Sequence, residues 1–297
     1  MLKRILVPVD GSDLAERILF ETRGLLTGNG SQVVLLTVLP PRTPLAREVD
    51  PRGWLDALHH RLVGEGIRAE VELSIGDPAE EILRCADRLD PSLIAMSTHG
   101  RSGIGRWARG SVAERVLRRS RHPLLLANPR SLGTTIEGMD RPFRRILLPL
   151  DGSELSASIV PLVVEVARVY ESEVFAIHAI PAMPSKTPAP YVEPHPSVEE
   201  VERFLEPMLV PFEEAGIRNR LMVRYERPAE AILEVARSEH VDLVAMTTHG
   251  SSGVSRWVFG SVAEKVLREG SWPLLVRRTA GFEEAWGAAG GRGLPAE

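Results

Sequence analysis

Short apolar runs alternate along the chain with longer stretches in which apolar positions recur every three or four residues. In the first half the short runs are ILVPV, VVLLTV, AEVELSI, LIAMS and PLLLA, and their length and branched-aliphatic content predict β-strands. The stretches between them predict helices beginning near Asp13, Val49, Pro78 and Ser111. GDPAEEIL marks one such start, with Asp77 as N-cap, Pro78 at the first helical position and acids in the first turn. Strands alternating with helices imply right-handed crossovers and a mostly parallel sheet, and the unbroken apolar runs imply burial on both faces.

The whole pattern then repeats. RILVPVDGSDLA (4–15) returns as RILLPLDGSELS (145–156), THGRSGIGRWARGSVAERVLR (98–118) returns as THGSSGVSRWVFGSVAEKVLR (248–268), and HPLLL from His122 returns as WPLLV from Trp272. Asp10 and Asp151 are 141 positions apart whereas Gly100 and Gly250 are 150 apart, so the second copy carries nine more residues between these landmarks. PAMPSKTPAPYVEPHPS (181–197) is the natural place for them, because its prolines suit neither a helix interior nor a central strand. The expected fold is α/β: two tandem doubly wound domains, 1–128 and 144–279, each a five-stranded mostly parallel sheet with helices on both faces. A linker over 129–143 joins them, and a mobile tail covers 280–297.

Composition narrows the class without changing the architecture. With 43% hydrophobic and 26% charged residues, the 297-residue chain can bury two ordinary cores. A formal net charge of −4 argues against nucleic acid as a partner, which needs an excess of Lys and Arg. No apolar run reaches the ~20 residues of a membrane span, and MLKRILVPVDGS reads as a strand and turn rather than a signal peptide. The expected location is cytoplasmic. Cys85, the single cysteine, shares a helical stripe with Ile82, Ala86 and Leu89 and is expected to be a buried packing thiol. His99 and His249 have no partner at ligand spacing, so no metal site is expected, and the pair His59 and His60 fits a solvated helix face.

In a doubly wound sheet, ligands sit at the carboxyl ends of strands where the winding reverses. Asp10 and Asp151 directly follow the first strand of each copy, and the stretches from Met96 to Ser111 and from Met246 to Ser261 follow the fourth and run into a helix. The first stretch holds Gly100, Gly103, Gly105 and Gly110, then Ser111 at the helix start. Such a loop lets N–H groups approach an anion, and the helix tip adds unsatisfied donors with a favourable dipole. That is the outline of a phosphate cradle, beside which the aspartates suit a ribose hydroxyl or an adenine amine. The same residues also make plain turns, since Asp-Gly-Ser and Gly-Ser are ordinary helix starts. Duplication does not separate the two readings, because it copies turns too. Arg101, Arg106 and Arg109 make the first loop basic, which would draw a nucleotide toward it, whereas the second keeps Arg256. Trp107 and Trp257 fit packing of each loop against the sheet better than stacking on a base.

These motifs resemble the universal stress proteins in their tandem form, over nearly the whole chain apart from the linker and the tail. ATP-binding members of that family carry a Gly, two residues, a second Gly, nine residues, then Gly-Ser or Gly-Thr. Gly100, the nine residues 101–109 and Gly110-Ser111 fit, as do Gly250, residues 251–259 and Gly260-Ser261; at the first Gly both copies depart, with Ser97 and Thr247. The resemblance implies ATP, with or without Mg2+, in each domain. Asp10 and Asp151 would meet the adenosine, with Pro8, Val9, Pro149 and Leu150 beside the adenine and main-chain contacts from Val38 and Ala179. Met96, Ser97, Met246 and Thr247 would line the start of each loop. Gly100, Gly110, Ser111 and Val112, matched by Gly250, Gly260, Ser261 and Val262, would hold the phosphates. HPLLLA and WPLLVR would form the seam of an internal pseudo-dimer, and a homodimer and further protein partners are compatible with the family. The implied role is a stress-response regulator working through nucleotide-linked conformation, non-catalytic or at most a slow ATPase, since no P-loop GKS or GKT and no HxGH motif occurs. The alternatives are an ATP-hydrolysing or adenylyl-transferring enzyme and a nucleotide-free scaffold.

Overall fold

Apolar runs become strands and periodic stretches become helices. The computed structural model describes residues 2–26, 30–39, 41, 51–98, 112–127, 143–181, 196–248 and 260–278. The first copy supplies β1 (Arg4–Pro8), α1 (Asp13–Leu26), β2 (Gln32–Leu39), α2 (Pro51–Gly64), β3 (Arg68–Ile75), α3 (Pro78–Leu89), β4 (Leu93–Ser97), α4 (Val112–Arg119) and β5 (Leu124–Ala127). The second supplies β6 (Arg145–Pro149), α5 (Glu154–Ala157), α6 (Val160–Tyr170), β7 (Glu173–Ala179), α7 (Val198–Glu214), β8 (Asn219–Arg224), α8 (Pro228–Ser238), β9 (Leu243–Thr247), α9 (Ser261–Glu269) and β10 (Leu274–Arg277). The strands form one ten-stranded sheet in the order β3-β2-β1-β4-β5-β10-β9-β6-β7-β8. Within each half every pairing is parallel, as crossover helices require.

Alternation along the strands sorts the interior into two layers. Ile5, Val7, Val33 and Leu35 pack with residues of α1, α2, α6 and α7; Leu6, Val34, Leu36 and Ile94 pack with residues of α3, α4, α8 and α9. Fully burying such a side chain stabilises by roughly 1.5–3 kcal/mol, so runs buried on both faces commit the chain to this sheet. Cys85 lies in the second layer, 3.4 Å from Glu72 Oε2, and burial together with that carboxylate pushes its thiol up to about 12. The outer strands β3 and β8 carry Arg68, Glu70 and Arg220 exposed, which discourages edge-to-edge pairing.

The halves meet where β5 and β10 pair antiparallel, Leu126 opposite Leu274, Leu125 opposite Leu275 and Leu124 opposite Val276. Because Leu124 matches Leu274 and Leu126 matches Val276 in the repeat, this register is self-complementary about Leu125 and Leu275, as a two-fold requires. A second contact joins α1 to α6: the Tyr170 hydroxyl donates to the Glu21 carbonyl at 2.9 Å, and the ring lies against Gly24. Phe143, the last residue of the stretch read as linker, is itself buried edge-on against Tyr170, centroids 5.2 Å apart. Residues 129–142 and the tail from 279 lie outside the described residues.

One helix differs between the copies. Where α1 runs unbroken for 14 residues, its counterpart divides into α5 and α6. Pro161 has no N–H to give the Ala157 carbonyl, so the ladder stops there. The Ser158 hydroxyl donates to the Leu155 carbonyl at 2.7 Å, and Arg277 Nη1 takes the Ser158 carbonyl at 2.9 Å.

Candidate functional site

From β1 the chain winds outward through β2 to β3, then returns to β4 on the other side of β1, so the winding reverses between β1 and β4. The same reversal separates β6 from β9. The carboxyl ends of such strand pairs are where open α/β sheets form a ligand crevice. Pro8, Val9, Asp10, Met96 and Ser97 stand at the first; Pro149, Leu150, Asp151, Met246 and Thr247 stand at the second.

Each strand end is pinned by one neighbouring strand through both of its main-chain groups. The Val9 N–H donates to the Leu36 carbonyl at 2.9 Å, and the Val9 carbonyl accepts the Thr37 hydroxyl at 3.0 Å. In the second copy Leu150 donates to the Ile177 carbonyl at 2.9 Å and accepts from His178 Nδ1 at 2.8 Å. A carbonyl only accepts, so Nδ1 of His178 carries the proton. Val9 and Leu150 are buried with both main-chain groups used, and Met96 and Met246 point into the second core layer. These four therefore wall the crevice rather than offer side-chain polar groups.

Val38 and Ala179 differ. The Leu36 carbonyl points toward β1 and the Leu39 carbonyl toward β3, where it accepts the Gly76 N–H at 2.9 Å. By strand alternation the N–H and C=O of Val38 point to the side that β1 has vacated, since β1 ends at Pro8 opposite Leu36. Ala179 stands likewise beyond Pro149, which is opposite Ile177. Each crevice thus holds an adjacent main-chain donor and acceptor on one wall.

Asp10 and Asp151 each organise their own turn. Asp10 Oδ1 accepts from Ser12 N at 3.1 Å and Ser12 Oγ at 2.6 Å, and Asp151 Oδ1 from Ser153 N at 3.0 Å and Ser153 Oγ at 2.5 Å. The intervening Gly11 and Gly152 have φ of 78° and 84°, the left-handed region that favours glycine. An aromatic side chain covers each turn: the Trp54 indole lies 3.7 Å from a Cβ built on Gly11, and a Cβ on Gly152 would sit 2.0 Å from Phe204. Trp54 is held by its Nε1 donating to Glu16 Oε1 at 2.8 Å, and Glu16 also pairs with Arg61 at 2.9 Å. Sequence reasoning missed Trp54, Phe204, Thr37 and His178 as parts of the crevice. The matched aromatics at 54 and 204, spaced like Gly100 and Gly250, were the available signal.

The loop side is described at its base. The Gly260 N–H donates to the Thr248 carbonyl at 2.9 Å, so the two ends of the loop between them meet. Gly260 then caps α9 in an extended conformation, φ −65° and ψ 145°, with no side-chain cap. By helix geometry the N–H groups of Ser261, Val262 and Ala263 have no intrahelical acceptor. Other helices here close that gap, α3 with Asp77 and α7 with Ser197. In the first copy Val112 begins α4. Gly100, Arg101, Gly110, Ser111 and Gly250, with Trp107 and Trp257, lie outside the described residues. Behind the helix tips, ion pairs fix α4 to α3 and α9 to α8. Arg115 reaches Asp77 at 2.8 Å and Glu80 at 3.1 Å, and Lys265 reaches Glu230 at 2.7 Å. The Arg115 hydrogen bond holds the Asp77 carboxyl below the ordinary range.

Comparison with known proteins gives a consistent answer. The model of the universal stress protein family matches residues 1–128 and 142–278. A universal stress protein of Thermus aquaticus is 31% identical over 141 residues, aligning 99% of its length with 46% of this chain. One from Methanocaldococcus jannaschii is 29% identical over 149 residues, aligning 88% of its length with 49% of this chain. The crystal structure of a universal stress protein from Archaeoglobus fulgidus superposes with a TM-score of 0.65 at 22% identity, over 94% of this chain and 97% of that one. The two sequence relatives are each about half as long as this chain, while the solved structure shares its whole double fold.

Proposed function

Because the chain belongs to the universal stress protein family, whose model spans both of its repeats, we propose that it binds one ATP in each crevice and acts as a regulator. Its conformation or partner choice follows nucleotide occupancy, without a catalytic step beyond at most slow hydrolysis. The observation that supports this reading is the tip of α9, where Gly260 offers no side-chain cap and three consecutive N–H donors stand at the carboxyl edge of the sheet. Gly260, Ser261 and Val262, with Gly250, would hold the phosphates there; Gly100, Gly110, Ser111 and Val112 would do so in the first copy. Arg101 would add attraction. Val38 and Ala179 present the donor–acceptor pair that an adenine edge needs. Asp10 and Asp151 would meet the ribose while keeping the turn they already hold. A few charge-assisted hydrogen bonds at roughly 1.5–3 kcal/mol each suffice for micromolar affinity, about −8 kcal/mol. Mg2+ bound to the phosphates would neutralise part of their charge. Occupancy stabilises whichever state binds ATP better, which is the regulatory principle.

Denaturing freshly purified protein and assaying the supernatant for adenine nucleotide tests this. Intact ATP is the expected finding. ADP with multiple turnovers on added ATP would instead identify an ATPase, and no nucleotide together with no binding on titration would identify a scaffold. The double variant Gly100→Val, Gly250→Val is expected to lose ATP binding by calorimetry while keeping the wild-type circular dichroism, because a side chain at either glycine blocks approach of the main chain to phosphate. Unchanged affinity in that variant would refute the site.

A further inference from the structure

At the opposite edge of the first copy's sheet, where the strands begin, lies a cleft of about 690 Å³, within the range of small-molecule sites. Three cations line it, Lys3 and Arg4 at the start of β1 and Arg68 at the start of β3, against one carboxylate, Asp90. Among the described residues the side chains of Lys3 and Arg68 have no hydrogen-bond or ion-pair partner. Arg4 gives Nη1 to the Leu89 carbonyl at 2.7 Å, which neutralises the end of α3, while its buried Nε has no acceptor among the described residues. The Ser92 hydroxyl oxygen accepts the Lys3 N–H at 3.2 Å, leaving its own proton to donate. The cleft is rich in donors and short of acceptors.

The second copy supplies the contrast. Strand register places Arg144, Arg145 and Arg218 at the positions of the three cations. Yet Gly30, Gln32, Leu89 and Ser92 are matched there by Glu171, Glu173, Glu239 and Asp242. Asp242 accepts the Arg145 N–H at 2.9 Å, and Glu239 pairs with Arg220. The same scaffold therefore sets its three cations against four carboxylates in one copy and against one in the other, in a chain whose net charge is −4.

We propose that the first-copy cleft binds a phosphate monoester of sugar-phosphate size. The phosphate accepts from the Arg68 guanidinium and the Lys3 ammonium, a geometry the planar guanidinium fork suits. Gln32 and Ser92 take the polar remainder, and a bare phosphate would leave most of the cleft unfilled. Because the strands begin here and the nucleotide crevice lies where they end, ATP does not compete.

The test is calorimetric titration with ribose 5-phosphate, ribose and inorganic phosphate in the presence of saturating ATP. Ribose 5-phosphate is expected to bind saturably, inorganic phosphate more weakly and ribose not at all. Gln32→Glu with Ser92→Asp installs acids that the second copy already carries at these positions, and is expected to weaken binding at least about tenfold. Arg68→Ala is expected to do the same with an unchanged melting temperature. No saturation by concentrations on the order of 10 mM, wild-type affinity in either variant, or binding abolished by ATP would overturn the proposal. Failure here leaves the nucleotide crevices untouched, since no residue is shared.

Discussion

A buried titratable side chain with an unmet hydrogen bond leaves a pH signature, and His122 is placed to give one. The residue is 6% exposed, its Nε2 has no partner among the described residues, and Nδ1 lies 3.8 Å from Asp90 Oδ1. Burial lowers its pKa; Asp90 counters, Arg121 lowers it further and Asp87 counters again. As pH falls below about 6.5, the ordinary histidine value, the unfolded chain takes the proton first. Stability is thus full above that value and drops through the window down to the depressed one. The urea midpoint of the wild type should therefore fall more between about pH 7.5 and about pH 5.5 than that of His122→Phe, in which an aromatic ring replaces the imidazole as Trp272 does in the second copy. Equal falls would show that His122 is not the source. The sequence did not announce this burial, because HPLLL reads as a polar lead-in to a strand. The position of Asp10 and Asp151 at the strand ends was legible because Asp-Gly-Ser follows a strand directly. Thr37 and His178 were not, since each acts on a carbonyl 28 residues away.

Matched helices in the two copies isolate what a cap contributes. Asp77 Oδ1 accepts the Glu80 N–H at 3.1 Å and Oδ2 takes Arg115 at 2.8 Å, so one carboxylate closes the tip of α3 and ties it to α4. At the tip of α8 stands Arg227, which makes no side-chain cap. Asp77→Ala should accordingly cost about 1 kcal/mol, the ordinary worth of an N-cap, whereas Arg227→Ala should stay within about 0.5 kcal/mol of wild type, as surface changes do. Urea unfolding of both variants checks this, and comparable losses would mean that the cap is not what distinguishes them. The cap itself was readable from GDPAEE, a local pattern. The role of Arg115 was not, because the ion pair joins helices whose approach only the sheet determines. The same limit applies to the glycine-rich loops. Their composition pointed to an anion, whereas the Gly260–Thr248 hydrogen bond that brings the ends of the second loop together joins residues no local pattern pairs.

At the scale of the molecule, the two copies are joined by the β5–β10 pairing and by the contact of α1 with α6, and only the first could be anticipated. The family resemblance implied the first, and HPLLL and WPLLV, as apolar strands that need partners, give it a physical reason. The helix contact depends on Gly24 and Tyr170, whose meeting no local pattern encodes. A Cβ at Gly24 would stand 2.4 Å from Tyr170 Cε1, with the hydroxyl anchored to Glu21 and Phe143 packed edge-on behind the ring. The ring therefore has little room to retreat. Two effects of Gly24→Ala oppose each other: helix propensity favours alanine by up to about 1 kcal/mol, while forcing atoms into a packed contact costs about 1–3 kcal/mol. In the wild-type background the clash should win, giving a net loss of about 1–2 kcal/mol. With Tyr170→Ala already in place the clash is gone, and the same substitution should stabilise, by a few tenths to about 1 kcal/mol. Urea unfolding of the four proteins reads out this reversal of sign, a coupling that neighbouring residues show and distant ones do not. If Gly24→Ala has the same effect in both backgrounds, α1 and α6 do not meet as described, and the copies are joined by their last strands alone.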